Sequence, residues 1–410
     1  MAEVFPLERI PAEVREIARV LRGAGHEAWY VGGAVRDFLL AGRGVEVRRL
    51  GDFDIATSAV PEQVQRLFRR TVPIGVEHGT VAVLDAHDGA HEVTTFRRDV
   101  RTDGRHAEVE FGASLDEDLA RRDFTINAIA VHPETGEIRD PRGGRADVAA
   151  GLLRAVGDPA TRFREDRLRV LRALRFASAF GLTIEPATWE ALCAAAAEVD
   201  ALSRERVRDE WLKMLETARP SVGLELWQRA GVLARIWPEI GRLSPDVPHR
   251  LDAVDPPRDP VILTAAALWH AGVQPAAAEA AVRRLRFSSD EAARLRAIVA
   301  ALSDPMPAPG ATRDIRHWLA AHRSTARDII AVSEPRARRA DLLAAVGAIE
   351  ASGDALTVRQ LAVTGDDLQA AGVPAGKLMG EILRRLLDEV LDEPWRNTRE
   401  HLLARAREIA

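Results

Sequence analysis

Gly51-Asp-Phe-Asp-Ile-Ala-Thr57 decides the reading of this chain, together with Gly32-Gly33-Ala-Val-Arg36-Asp37 upstream of it. Phe53–Thr57 has the composition of a strand, and strand residues two apart project to one face. Asp52 and Asp54 therefore point the same way. Two carboxylates side by side repel unless a divalent cation sits between them, and their oxygens suit a hard ion such as Mg²⁺. The glycine pair opens a helical pattern, Gly33–Leu40, and a helix start offers backbone N–H groups to phosphate. Metal-holding carboxylates beside a phosphate cradle imply nucleotidyl transfer from a nucleoside triphosphate. The plainer alternative is a surface Asp-x-Asp turn with an unrelated Gly-Gly turn. A bare Asp-x-Asp favours that alternative, and the helix start beside it tips the balance the other way.

The whole chain is compatible with such a site. Its 410 residues suffice for two to four domains. With 47% hydrophobic and 29% charged residues it reads as a soluble globular protein. No apolar stretch approaches the roughly 18–20 residues of a membrane span, and no signal peptide is evident. Cys193 is the one cysteine, which excludes an internal disulfide. It is expected as a buried structural thiol, and the chain as cytoplasmic. A net charge of −5 does not announce nucleic-acid binding. The cations are almost all arginine, since lysine occurs only at 213 and 377. Arginine suits bidentate phosphate contacts, although a GC-rich genome explains the same bias.

Strand, turn and helix patterns mix over the first 150 residues or so. Pro11–Gly23 and Pro61–Arg70 read as helices. Glu27–Val31, Thr80–Asp85 and His91–Phe96 read as strands, the last two as a hairpin. Arg97–Ala107 is polar and charged and reads as a mobile loop. From Pro159 onward helical spacing dominates, with no convincing strand. The expected fold is therefore an α+β head followed by an all-α body and tail. The segments are 1–157 as catalytic head, 158–218 as helical neck, 219–303 as body and 304–410 as tail, with 303–311 as the best linker or hinge.

Two further clusters carry chemistry. In Arg121-Arg122-Asp123-Phe-Thr-Ile-Asn127, Arg122 could hold triphosphate oxygens and Asp123 could orient it or join the metal carboxylates. A surface charge cluster is the alternative. In Glu165-Asp166-x-x-Arg169-x-x-Arg172-Ala-x-Arg175-Phe176, helical periodicity sets Asp166, Arg169 and Arg172 on one face and Arg175 at its edge. An ordinary amphipathic helix would look the same. An ionised Asp only accepts hydrogen bonds and Arg only donates them. Cytosine and adenine present an exocyclic amine beside a ring-nitrogen acceptor, whereas uracil and guanine present the reverse. An Asp–Arg pair thus matches C and A. A mismatch strands polar groups, at about 1–3 kcal/mol each.

These four motifs in this order resemble the class II tRNA nucleotidyltransferases, whose motifs the bacterial poly(A) polymerases share. The segment Arg204-Glu-Arg-Val-Arg-Asp-Glu-Trp-Leu-Lys213 is similar to the family's next helical motif. Thr364-Gly-Asp-Asp-Leu and Gly380-Glu-Ile-Leu resemble its tail. The resemblance implies a polymerase-β-like head, with Asp52 and Asp54 as catalytic residues that hold Mg²⁺. It implies Gly33 and Arg36 on the triphosphate, and Arg122 on the incoming nucleotide. It further implies a base-reading and phosphate-contacting helix bearing Asp166, Arg169, Arg172 and Arg175. The implied reaction adds C, C and A to the 3′ end of tRNA from CTP and ATP and releases pyrophosphate. The implied partner is the tRNA acceptor arm, with no membrane and no stable protein partner.

Loop 97–108 is present, and in the family it accompanies addition of the terminal A, which argues against a C-only enzyme. An A-only adder, a poly(A) polymerase and a catalytically idle RNA-binding protein are the alternatives. Glu92 is either a third carboxylate or a solvated strand residue. The connection Ala41–Leu50 is longer than the family's and should be a surface excursion. His270 precedes Ala271 and not an Asp, so no phosphohydrolase site is expected. The arginine-rich stretch Arg313–Arg339 either contacts the tRNA backbone or forms a solvated helix face.

Overall fold

Val14, Ile17, Ala18 and Leu21 recur at helical spacing, and all four are buried in α1 (Ala12–Gly23). The same logic builds the rest of a computed structural model that describes residues 4–45, 53–102, 107–241, 243, 247–254, 258–333 and 336–410. The chain divides into two compact units, Met1–Arg242 and Leu243–Ala410.

The first unit carries a mixed sheet in the order β3-β4-β5-β2-β1-β8-β9. Its strands are β1 (Ala28–Val31), β2 (Asp54–Thr57), β3 (Thr71–Gly75), β4 (Thr80–Leu84), β5 (Ala90–Thr95), β8 (Ala130–Val131) and β9 (Ile138–Arg139). All neighbours are antiparallel except β2 and β5, which run parallel with Ile55 opposite Val93. Helix α2 (Gly33–Ala41) leaves the end of β1, and α3 (Pro61–Leu67) follows β2 with Pro61 as its first residue. Val31, Ala56, Phe96, Leu115, Leu119 and Ala130 pack into a buried cluster. That cluster fixes β2 in the middle of the sheet and α4 (Leu115–Ala120) against it.

Residues 97–102 and 107–111 differ from the expected loop. They form an antiparallel ribbon of β6 (Arg97–Thr102) and β7 (Ala107–Phe111). Opposite charges face each other across it, and Arg98 donates to Glu110 Oε2 at 2.9 Å. Cross-strand ion pairs stabilise paired strands, so the charge that suggested a loop is part of the ribbon. The sequence reading missed a second strand pair. Leu152–Leu153 (β10) runs parallel to Thr183–Ile184 (β11), too short to leave a pattern.

Helices then take over: α5 (Gly144–Ala150), α6 (Pro159–Glu165), α7 (Leu168–Phe180), α8 (Pro186–Ala195), α9 (Arg204–Leu215), α10 (Pro220–Arg229) and α11 (Val232–Ile236). Asp158 caps α6 and Ser203 caps α9, each accepting from a backbone N–H in the first turn. Trp211, Trp227 and Trp237 meet in one buried aromatic cluster. Cys193 is half-buried on α8, not fully buried as expected. Burial raises its thiol pKa.

The second unit is helical throughout its described residues. Leu368, Ile382, Leu386, Val390, Leu402 and Ala406 form its C-terminal core, contributed largely by Lys377–Asp392 and Arg399–Ile409. No described helix is long and apolar enough to cross a membrane. The α+β head and helical remainder match the expected class.

Candidate active site

A cleft of about 430 Å³ opens in the first unit at the end of β1 and β2. Asp54 starts β2 opposite Val31, so its carboxylate lies beside the turn from β1 into α2. Gly32 occupies that turn at φ 84°, a conformation open to glycine. A Cβ on Gly32 would collide with Asp54 Oδ2. The glycine pair therefore brings a helix N-terminus and a carboxylate together, as the motif spacing suggested. The sequence analysis named Gly33, but Gly32 makes the close approach. Both glycines line the cleft.

Asp54 precedes Ile55 and Glu92 precedes Val93, so the parallel register sets Asp54 and Glu92 level on adjacent strands. Both border the cleft, and Glu92 is exposed there. Carboxylate oxygens beside a cradle that a Cβ would fill are hard donors of the kind a divalent cation takes. Among the described residues, no group of three or more His, Cys, Asp or Glu forms a metal cluster. Asp52 lies outside the described residues, as does half of the predicted excursion 41–50, residues 46–50.

The Arg-Arg-Asp motif follows α4. Arg122 donates to Asn127 O at 3.2 Å and to Asp118 Oδ2 at 3.3 Å. Its Nε is buried without a hydrogen-bond partner, and the side chain as a whole borders the cleft, 17% exposed. Burial alone would push the Asp118 carboxyl up, but Arg122 and Arg121 outweigh it and hold it low. Asp123 does not orient Arg122. Its Oδ1 accepts from Phe124 N–H and Asn127 Nδ2, and its Oδ2 accepts from Arg172 Nε at 2.8 Å. Burial works against this carboxylate, yet Arg172 and those hydrogen bonds bring it down to about 2.

Asn127 also accepts from Arg36 Nη1 at 3.0 Å, while Arg36 Nε donates to Asp37 at 2.7 Å. A continuous network thus runs Asp37–Arg36–Asn127–Asp123–Arg172 and ties α2 to α7. Burial pushes Arg36 down and Asp37 up. The pair is therefore held against a desolvation cost by the network and by Phe176 and Phe180. The Arg36 guanidinium lies over these two rings, at 5.0 and 4.6 Å. Asn127 was quoted within a motif but given no role; its place after Arg-Arg-Asp was the available signal.

The base-reading cluster differs from a single helical face. Asp166 is not helical. It sits in an extended conformation between α6 and α7, with φ −148° and ψ 108°. Its Oδ1 accepts from Leu168 N–H at 3.0 Å and its Oδ2 from Arg206 Nη2 at 2.8 Å. Arg169, on α7, is clamped elsewhere. It donates to Glu165 Oε2 at 2.7 Å and to the carbonyls of Arg162 and Arg121 at 2.9 and 3.1 Å. Asp166, Arg169 and Arg172 still line one cleft with Arg122, Asp123, Arg36, Gly33 and Asp54. Arg175 does not join them. It pairs with buried Glu210 at 2.6 Å and lies over the Phe176 ring at 4.2 Å.

Comparison with known proteins agrees with this geometry. Residues 28–154 match the family model "Poly A polymerase head domain". Residues 181–243 match "Probable RNA and SrmB-binding site of polymerase A", and 263–406 match the second domain of tRNA nucleotidyltransferases. The fold is that of the polymerase head and tRNA nucleotidyltransferase families these models describe. The Bacillus stearothermophilus CCA-adding enzyme, solved in complex with CTP, is 33% identical with a TM-score of 0.83 over 98% of this chain and 97% of that one. The chain belongs to the family of CCA-adding enzymes. The CCA-adding enzymes of Lactiplantibacillus plantarum and Bacillus subtilis are 47% and 45% identical over 226 and 212 residues. Those alignments cover 53% and 51% of this chain, and the same shares of the relatives. The chain thus spans about half the length of the curated relatives it matches.

Proposed function

We propose that this protein adds C, C and A to the 3′ end of tRNA from CTP and ATP, releasing pyrophosphate. The observation that carries the reading is the gathering, in one cleft, of Asp54, a glycine helix start, Arg122 and the separately clamped Asp166 and Arg169. Asp54, with Asp52 from the same strand motif, would hold divalent ions such as Mg²⁺. Bound there, such ions would activate the RNA 3′-hydroxyl and neutralise the departing pyrophosphate.

The chain's own groups do the rest. The N–H groups at the start of α2 and the cleft-lining guanidinium of Arg122 take phosphate oxygens. Arg36 lines the phosphate side of the cleft. Its bonds to Asp37 and Asn127 also make it the anchor of α2. Arg172 adds positive charge where Asp123 fixes it. Asp166 accepts from the exocyclic amine of C or A, and Arg169 donates to the ring nitrogen. Arg175 supports α7 through Glu210 without touching the nucleotide.

Segment 1–157 is the catalytic head in this reading, 158–218 the neck that reads the base, 219–303 the body and 304–410 a tRNA-binding tail. The acceptor arm would be recognised by shape and phosphate contacts. A cytoplasmic setting, where tRNA and both triphosphates occur, belongs to the same proposal.

Purified protein incubated with Mg²⁺, tRNA lacking its 3′ CCA and one labelled nucleotide at a time tests it. CTP is expected to label this tRNA, and ATP a tRNA ending in CC. UTP or GTP entering as readily as CTP and ATP sinks the reading. Labelling by ATP of the CC-ending tRNA alone, with CTP inert, would make the protein an A-only adder.

A further inference from the structure

We propose that Arg206, on α9, is a positioning residue for base selection: it fixes the second carboxylate oxygen of Asp166. The inference rests on the nucleotide-adding reading above and deepens it.

Asp166 stands at a break between two helices, where no helical hydrogen-bonding pattern sets its side chain. One contact, from Leu168 N–H to Oδ1, comes from its own turn. A single contact leaves the other oxygen free to swing about Cβ–Cγ. Arg206 removes that freedom by donating to Oδ2 at 2.8 Å from forty residues away. The side chains of Arg206 and Asp166 are 36% and 29% exposed, and both border the cleft. Arg169 needs no such help, since Glu165 and two carbonyls already hold it.

The consequence is chemical. Each Asp166 oxygen spends one acceptor position on the protein and keeps another for a ligand. With both oxygens pinned, an amine at the base edge finds an acceptor in a set place. A uracil or guanine carbonyl finds a carboxylate oxygen facing it that cannot turn away. Selection between bases then depends on Asp166 being unable to move, and that depends on Arg206. A carboxylate that can swing aside rejects U and G less.

The alternative is that Arg206 binds triphosphate directly, and the two roles read out differently. CTP and UTP compete for addition to tRNA lacking its 3′ CCA, and equilibrium binding of each is measured on the same proteins. Arg206→Gln should lower the preference for CTP over UTP about tenfold, the scale of one stranded polar group. Arg206→Lys, which keeps a positively charged donor where Gln offers only a neutral amide, should restore most of it. Asp166→Ala combined with Arg206→Gln should discriminate no worse than Asp166→Ala alone. Binding preferences keep the test valid where a variant adds nucleotide poorly, and melting curves show that each variant is folded.

An equal rise in KM for CTP and UTP in Arg206→Gln, with the preference intact, overturns the inference and makes Arg206 a phosphate ligand. Additive losses in the double variant overturn it too. Failure of the unaltered protein to prefer CTP would instead strike the function reading beneath, and it shows without any variant.

Discussion

Asp123 and Asp392 are both held at about 2 by their partners, against very different burial. Asp123, in the first unit, is buried, and burial alone would raise it. Arg172, Asn127 and the Phe124 N–H overcome that cost. Asp392, in the second unit, has a side chain 36% exposed. Hydrogen bonds from Arg313 and His317 lower it, with little burial to oppose them. Equal acidity therefore does not mean equal importance. The buried carboxylate fixes a cleft arginine in place, and losing either partner strands a charge. The exposed one sits in a surface cluster that water can replace. Within the arginine-rich stretch, Arg313 and Arg327 follow the second pattern, with side chains 65% and 59% exposed, whereas Arg316 is largely buried. Arg313 and Arg327 pair with Asp392 and Glu350, and Arg316 donates to the Leu391 carbonyl at 2.8 Å. These arginines are engaged within their own unit.

Substitutions sharpen the contrast. Asp54→Ala should reduce nucleotide addition by about 1000-fold or more while leaving the protein folded, because it removes a metal-holding group at the cleft. Asp123→Asn should cost about 3 kcal/mol in urea unfolding at neutral pH, since Arg172 loses its counter-charge inside the protein. The pH dependence has a definite sign. The Asp123 carboxyl is lower in the folded protein than its ordinary 3.8. Its contribution is complete above that value and disappears as pH falls through about 2. The gap between Asp123→Asn and the unaltered protein should therefore be constant above pH ~4 and close below it.

Gly32→Ala should slow addition about 100-fold, because its Cβ displaces the Asp54 carboxylate without unfolding the sheet. Asp392→Asn should change stability by less than about 1 kcal/mol, and added salt should erase even that. A loss there as large as for Asp123→Asn would break the comparison.

Motif chemistry made much of the cleft legible, because close approach demands particular residues. Gly-Gly before Asp54 and the Arg-Arg-Asp run are such demands. Asp166 was misplaced on a helix for a physical reason. The apolar period of the helices runs on through Glu165–Leu168, and no Gly or Pro marks the break there. Arg175 lies off the cleft lining because its partner, Glu210, is on another helix, and periodicity carries no long-range pairing. The ribbon of β6 and β7 was hidden by its charge. Arg206 was quoted as part of a motif, but only the folded chain brings it to Asp166.

The most direct test of the account is the sequence of the 3′ ends made from tRNA lacking CCA with all four triphosphates and Mg²⁺ present. The account predicts CCA and then a stop. Ends carrying U or G, or a long run of A, would contradict it.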